Sequence, residues 1–130
     1  MSKFLLDTDV IIWHLRGRRD VTRALTELQA FGVPSCSALS ILEVQVGVKK
    51  GEEAKTDLFL GSLVVVDVTR KIADKAAVSI RELRAKGVTI DLPDAIIAAT
   101  CLVHGLTLVT YNKKHYPFPK LAFHPLPSLP

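Results

Sequence analysis

Residues 91–110 read DLPDAIIAATCLVHGLTLVT, from which a helix and a strand can be read in succession. Asp91 suits a helix N-cap and Pro93 a first helical turn, so the run from Ala95 through Cys101 reads as a helix. His104-Gly105 supplies a C-terminal glycine, and Leu106 to Thr110 then has the character of a buried strand. Without that break, Ala95 to Asn112 would be a candidate membrane span, since it carries no Asp, Glu, Lys or Arg. The glycine cuts it into a helix and a strand, the repeating unit of a parallel sheet.

The same alternation runs outward from this segment. Phe4-Leu5-Leu6 predicts a strand ending at Asp7, followed by a helix through Val10, Ile11, Ile12, Trp13 and Leu15 that stops at Gly17. Asp20 and Thr22 suit the cap of a second helix, about Val21 to Ala30, with Ala24, Leu25 and Leu28 inward and Gly32 at its end. A strand over Val33 to Ser37 leads into a largely apolar helix from Ser37 or Ser40. That helix carries Glu43 and is expected to run to Lys49-Lys50-Gly51. A short helix (Glu52 to Gly61), a buried strand (Leu63 to Val68) and an amphipathic helix (Arg70 to Lys86, closed by Gly87) follow. Beyond Tyr116 the chain is proline-rich, with room for an edge strand at Leu121 to Phe123. Strands alternating with helices imply a parallel sheet covered on both faces, with no repeat or internal linker.

The chain has 130 residues, 48% of them hydrophobic, which is enough for one compact domain over 1–130 with a real core. A formal charge of +4 favours polyanionic partners mildly. Cys36 and Cys101 sit among small and apolar neighbours outside any paired metal-ligand spacing, as expected of buried thiols in a reducing compartment. Asp7 and Asp9 interrupt the apolar start before a signal-peptide core forms, so a cytoplasmic protein is expected. A Gly-rich dinucleotide turn, a P-loop and a G-x-S-x-G elbow are all absent from the sequence.

Ligands of open parallel sheets bind beyond the carboxyl ends of the strands. Asp7 ends the first strand, Glu43 lies early in the helix leaving the second, and Asp94 opens a helix that starts at the same edge. Thr110 and Asn112 follow the last long strand. Carboxylates gathered in one cleft repel each other unless a cation is shared. Magnesium accepts two or three carboxylates, waters and a phosphate oxygen, and so would support phosphodiester hydrolysis without a protein nucleophile. Each acid also has a structural reading: Asp7 as a cap, Asp91 and Asp94 as cap and dipole partner, Glu43 as the mate of an arginine.

Three segments, FLLDTDVIIWHLRG (4–17), SALSILEVQVGVKKG (37–51) and DLPDAIIAATCLVHGLTLVTYNKKHYPF (91–118), resemble PIN-domain proteins of the VapC type, the toxin half of VapBC toxin-antitoxin pairs. The resemblance spans nearly the whole chain. It implies a three-layer α/β/α domain around a parallel sheet of four to five strands. It also implies Mg²⁺- or Mn²⁺-dependent endoribonuclease activity, homodimerisation and inhibition by a cognate antitoxin. The family's three metal-site acids match Asp7, Glu43 and Asp94, and Thr110 and Asn112 match its polar pair after the fourth strand. Thr8, Asp9 and Asp91 are expected beside the site. Many relatives carry a fourth acid where this chain has His115, a departure that favours one metal over two.

Other readings remain open at this point. Asp7-Thr8-Asp9 also fits the opening of a haloacid-dehalogenase-like phosphatase, although Thr110-Tyr111-Asn112 replaces the acidic pair such an enzyme needs. A PIN-fold module that binds RNA or protein without turnover is a third reading. Arg16, Arg18, Arg19, Lys113 and Lys114 follow elements ending at the acidic edge and are the candidate RNA contacts. Ile12, Trp13 and Leu15 suit either the core or a partner surface.

Overall fold

In the computed structural model, which describes residues 3–126, five parallel strands form one sheet in the order β3-β2-β1-β4-β5. The strands are β1 (Phe4–Leu6), β2 (Ser35–Ser37), β3 (Val64–Val66), β4 (Thr107–Thr110) and β5 (Phe123–Pro125). The helices are α1 (Thr8–Leu15), α2 (Arg19–Leu28), α3 (Ala38–Val46), α4 (Glu53–Gly61), α5 (Arg70–Ala85) and α6 (Leu92–His104). The chain lays down β1, β2 and β3 toward one edge, then crosses back to place β4 on the other side of β1. The order therefore reverses between β1 and β4, which is where an open parallel sheet opens a crevice.

Because side chains alternate across a strand, neighbouring residues feed opposite cores. Leu6 and Val109 join Val10 and Ile11 of α1, Leu25 of α2, Val44 of α3 and Leu60 of α4 on one face. Leu5 and Leu108 join Ile97, Ala98 and Cys101 of α6 on the other. There α5 meets α6 through Ile72 and Ala76 against Ala95 and Ala99, small residues that let the helices approach closely. The result is a three-layer α/β/α domain.

Several local expectations need correction. α2 begins at Arg19, with Arg18 in the cap position, so Asp20 lies inside the first turn and binds Arg18; Ala24 is only partly buried. α3 stops at Val46 with Gly47 as its cap, short of Gly51, because the chain must turn early to start α4. Ser37, not Ser40, caps it by accepting from the Leu39 N–H at 3.1 Å. β3 is not a buried strand: it lies at the sheet edge, and Val64 and Val65 remain 46% and 44% exposed. The last strand is shifted to Phe123–Pro125, pairing Phe123 with Leu108. Asp91 occupies the α6 cap position without a side-chain capping bond. Gly105 does close α6 in the left-handed conformation, at φ 65°.

Candidate active site

Asp7 sits where β1 passes into α1, directly at the reversal between β1 and β4. Its backbone N–H bonds the Val109 carbonyl at 3.0 Å, which ties it to the end of β4. Its side chain is buried, and Thr110 Oγ1 donates to Oδ2 at 2.9 Å. The Asn112 backbone N–H in turn donates to Thr110 Oγ1 at 3.0 Å. Thr110 thus touches Asp7 directly, whereas Asn112 reaches the relay through its main chain rather than its amide.

A second relay holds Glu43. Thr8, the first residue of α1, donates its hydroxyl to Glu43 Oε1 at 2.8 Å, and its oxygen lies 2.8 Å from Ser40 Oγ. With the Thr8 proton directed at Glu43, Ser40 is the donor to Thr8. Ser40 and Glu43 stand one turn apart on the same face of α3. Local pattern marks Ser40 only as a possible helix start; the signal that could have revealed its role is a small hydroxyl one turn before an acid on an otherwise apolar helix.

Burial pushes the Asp7 carboxyl up to about 6, and the nearby charges of Asp9 and Asp94 push the same way, while the Thr110 bond opposes the rise. Asp94 is also raised, chiefly by burial, with Asp91 and Asp9 adding to the effect and His115 opposing it. Asp7, Asp9 and Asp94 therefore share one electrostatic neighbourhood, with Asp91 and His115 at its margin. Glu43 connects to it through Thr8. Among the described residues, no three His, Cys, Asp or Glu side chains stand arranged to hold a metal ion, so the structure brings Asp7 and Asp94 together but does not close a set with Glu43. Nor do guanidinium groups neutralise these acids: the described ion pairs are Arg18 with Asp20 and Arg70 with Asp74.

This donor set fits a hard divalent cation. Oxygen ligands of like charge are crowded at a partly dry edge, and without a shared cation their repulsion is relieved only by holding protons. Asp7 and Asp94 are the two acids that share this crowding, while Glu43 is tied to Thr8.

The expected cationic rim is partly committed elsewhere. The guanidinium groups of Arg16 and Arg18 lie 5.5 and 5.8 Å from the Trp13 ring centroid, and Arg18 is also paired with Asp20. Trp13 itself is half-buried against the α1–α4 core. Arg19, Lys113 and Lys114 are exposed, and Lys113 Nζ lies 5.2 Å from the Phe123 ring. Tyr116, which stands at the head of the proline-rich tail and carries no motif of its own, is 3% exposed, and its phenol bears on both Asp7 and Asp94.

An α/β/α domain with Asp7 and Asp94 at the switch point of a parallel sheet belongs to the class of open α/β domains that bind ligands beyond the carboxyl ends of their strands. The PIN domain family matches residues 4–123. Ribonuclease VapC19 of Mycobacterium tuberculosis is 35% identical over 119 residues, covering 90% of this chain and 95% of that protein. A toxin-antitoxin complex from Klebsiella pneumoniae contains a chain 31% identical, with a TM-score of 0.76 over 91% of this chain and 93% of that one. The structure of VapBC2 from Rickettsia felis bound to a promoter DNA fragment matches at 27% identity and a TM-score of 0.84, over 96% of this chain and 99% of that one. The chain belongs to the PIN-domain family, among the VapC ribonucleases. That membership sets aside the phosphatase reading of Asp7-Thr8-Asp9. No helix among the described residues is long and apolar enough to cross a membrane.

Proposed function

We propose that this chain is a metal-dependent endoribonuclease, the toxin of a toxin-antitoxin pair, which hydrolyses RNA phosphodiester bonds with Mg²⁺ held by Asp7, Glu43 and Asp94. The observation that carries the reading is the buried Asp7 carboxyl at the β1/β4 switch point, crowded by Asp9 and Asp94 and paired with no cationic side chain among the described residues. A divalent cation there lowers the proton affinity of water and offsets charge building on phosphorus. The protein's own part is orientation: Thr110 holds Asp7, and Thr8 with Ser40 holds Glu43. Mn²⁺ should substitute, because it accepts the same oxygen ligands.

The partners follow from the relatives: an RNA substrate, as their name states, and a cognate antitoxin, as in the toxin-antitoxin complexes of similar fold. A homodimer is part of the same proposal. The buried free thiols of Cys36 and Cys101 fit a reducing, cytoplasmic setting. Cleavage of an RNA panel by the isolated chain, with Mg²⁺, Mn²⁺ or chelator and beside Asp7→Asn and Asp94→Asn, tests the reading. Metal-dependent cutting abolished by either substitution is expected. Cutting that survives both substitutions and chelation would overturn it. The competing reading, a module that binds without turnover, draws on the engagement of Glu43 by Thr8, and metal-dependent cleavage would exclude it.

A further inference from the structure

Two side-chain polar atoms among the described residues are enclosed without a hydrogen-bond partner, the hydroxyls of Tyr111 and Tyr116. A buried hydroxyl without a partner is uncommon, since phenylalanine would fill the same volume without the desolvation. The two differ in what surrounds them. Tyr111 faces the Arg18 and Asp20 pair at the outside of the site. Tyr116 is held by the core of the α6 face, packed with Leu5, Ile97, Leu108 and Phe118, its ring 6.4 Å from that of Phe123. That packing delivers its hydroxyl to the acidic crevice, where Asp7 and Asp94 are the carboxyls it bears on, although neither yet stands in full hydrogen-bond geometry with it. Thr110 serves Oδ2 of Asp7. Among the described residues, no comparable donor is directed at Asp94.

We propose that Tyr116 is a positioning residue for the acidic pair: its phenol directs its single O–H between the Asp7 and Asp94 carboxylates, as a shared hydrogen bond, when both are ionised around a divalent cation, and orients them to receive it. This rests on the proposed metal-dependent reading of the site. The hydroxyl would act on the ligand oxygens turned away from the ion, as donors behind metal ligands generally do.

Mn²⁺ affinity, followed by the paramagnetic resonance of the free ion, should be measured for the full chain, Tyr116→Phe and Tyr111→Phe, together with metal-free thermal unfolding of each. The expected result is Mn²⁺ binding weakened by about 10- to 100-fold in Tyr116→Phe. Its metal-free unfolding temperature should be unchanged or raised, and Tyr111→Phe should match wild type in affinity. Equal affinity for Tyr116→Phe and wild type would overturn the proposal. So would a metal-free loss of stability in Tyr116→Phe, which would make the phenol a structural group, or an equal weakening in Tyr111→Phe. A wild-type chain that binds no Mn²⁺ would instead overturn the reading on which the proposal rests.

Discussion

Thr110 and Asp7, 103 positions apart in sequence, are joined by a 2.9 Å hydrogen bond that bridges the carboxyl ends of two neighbouring parallel strands. The bond is fully enclosed, and Thr110 also receives the Asn112 backbone N–H. One hydroxyl thus fixes the rotamer of the central acid and the turn that leads toward Lys113, Lys114 and Tyr116.

Thr110→Val keeps the shape of the side chain and removes both bonds. It leaves the Asn112 N–H and an oxygen of Asp7 unpaired, so a loss of about 1–3 kcal/mol in urea unfolding is expected. Mn²⁺ binding should weaken as well, because Asp7 loses its orientation. Unfolding indistinguishable from wild type would show that the relay contributes nothing.

The metal-free protein should become less stable as pH rises. Asp7 has its folded-state value raised from 3.8 to about 6, so the folded chain holds a proton that the unfolded chain releases between those values. The contribution of Asp7 is therefore full below the unfolded value and is lost as pH climbs toward 6, a change of about 3 kcal/mol at most. Asp94, raised in the same direction, adds to it. A cation replaces that proton, so the rise in unfolding temperature produced by Mn²⁺ should be large at neutral pH and small near pH ~5, where Asp7 still holds its proton. A metal-induced shift independent of pH would argue against the acids as ligands.

Glu43→Gln and Thr8→Val separate charge from orientation. Glutamine can still accept from Thr8 through its amide oxygen but brings no negative charge; valine leaves the charge and removes its anchor. Both should lower cleavage, with Glu43→Gln the more severe at saturating metal and Thr8→Val partly recovered there. Full activity in Glu43→Gln would remove Glu43 from the metal set.

Replacing Lys113 and Lys114 with alanine should weaken RNA binding and flatten its salt dependence by roughly 0.7 in log–log slope for each phosphate that is no longer neutralised. Arg18→Ala should have a smaller effect, since Asp20 already holds its guanidinium. Filter binding across a salt series reads both. An unchanged slope for the lysine pair would take them out of the RNA footprint.

Much of this architecture is legible from local pattern. The strand ending at Asp7, the helix opening at Asp91 and closing at Gly105, and the parallel α/β layering follow from residue order, because caps, periodicity and glycine conformation act within a few residues. Asp7 and Asp94 can be named for the same reason, at a strand end and a helix start, and Glu43 because it is the one acid on a largely apolar helix. What sequence does not decide is which groups are neighbours. The exposed edge position of β3 depends on strand order, which local pattern does not encode. The Ser40 and Thr8 relay to Glu43, and the enclosure of the Tyr116 phenol beside Asp7 and Asp94, arise only when α3 and the segment after β4 fold back onto β1. Distances between side chains far apart along the chain are set by packing against a shared core, and that packing exists only in the folded molecule.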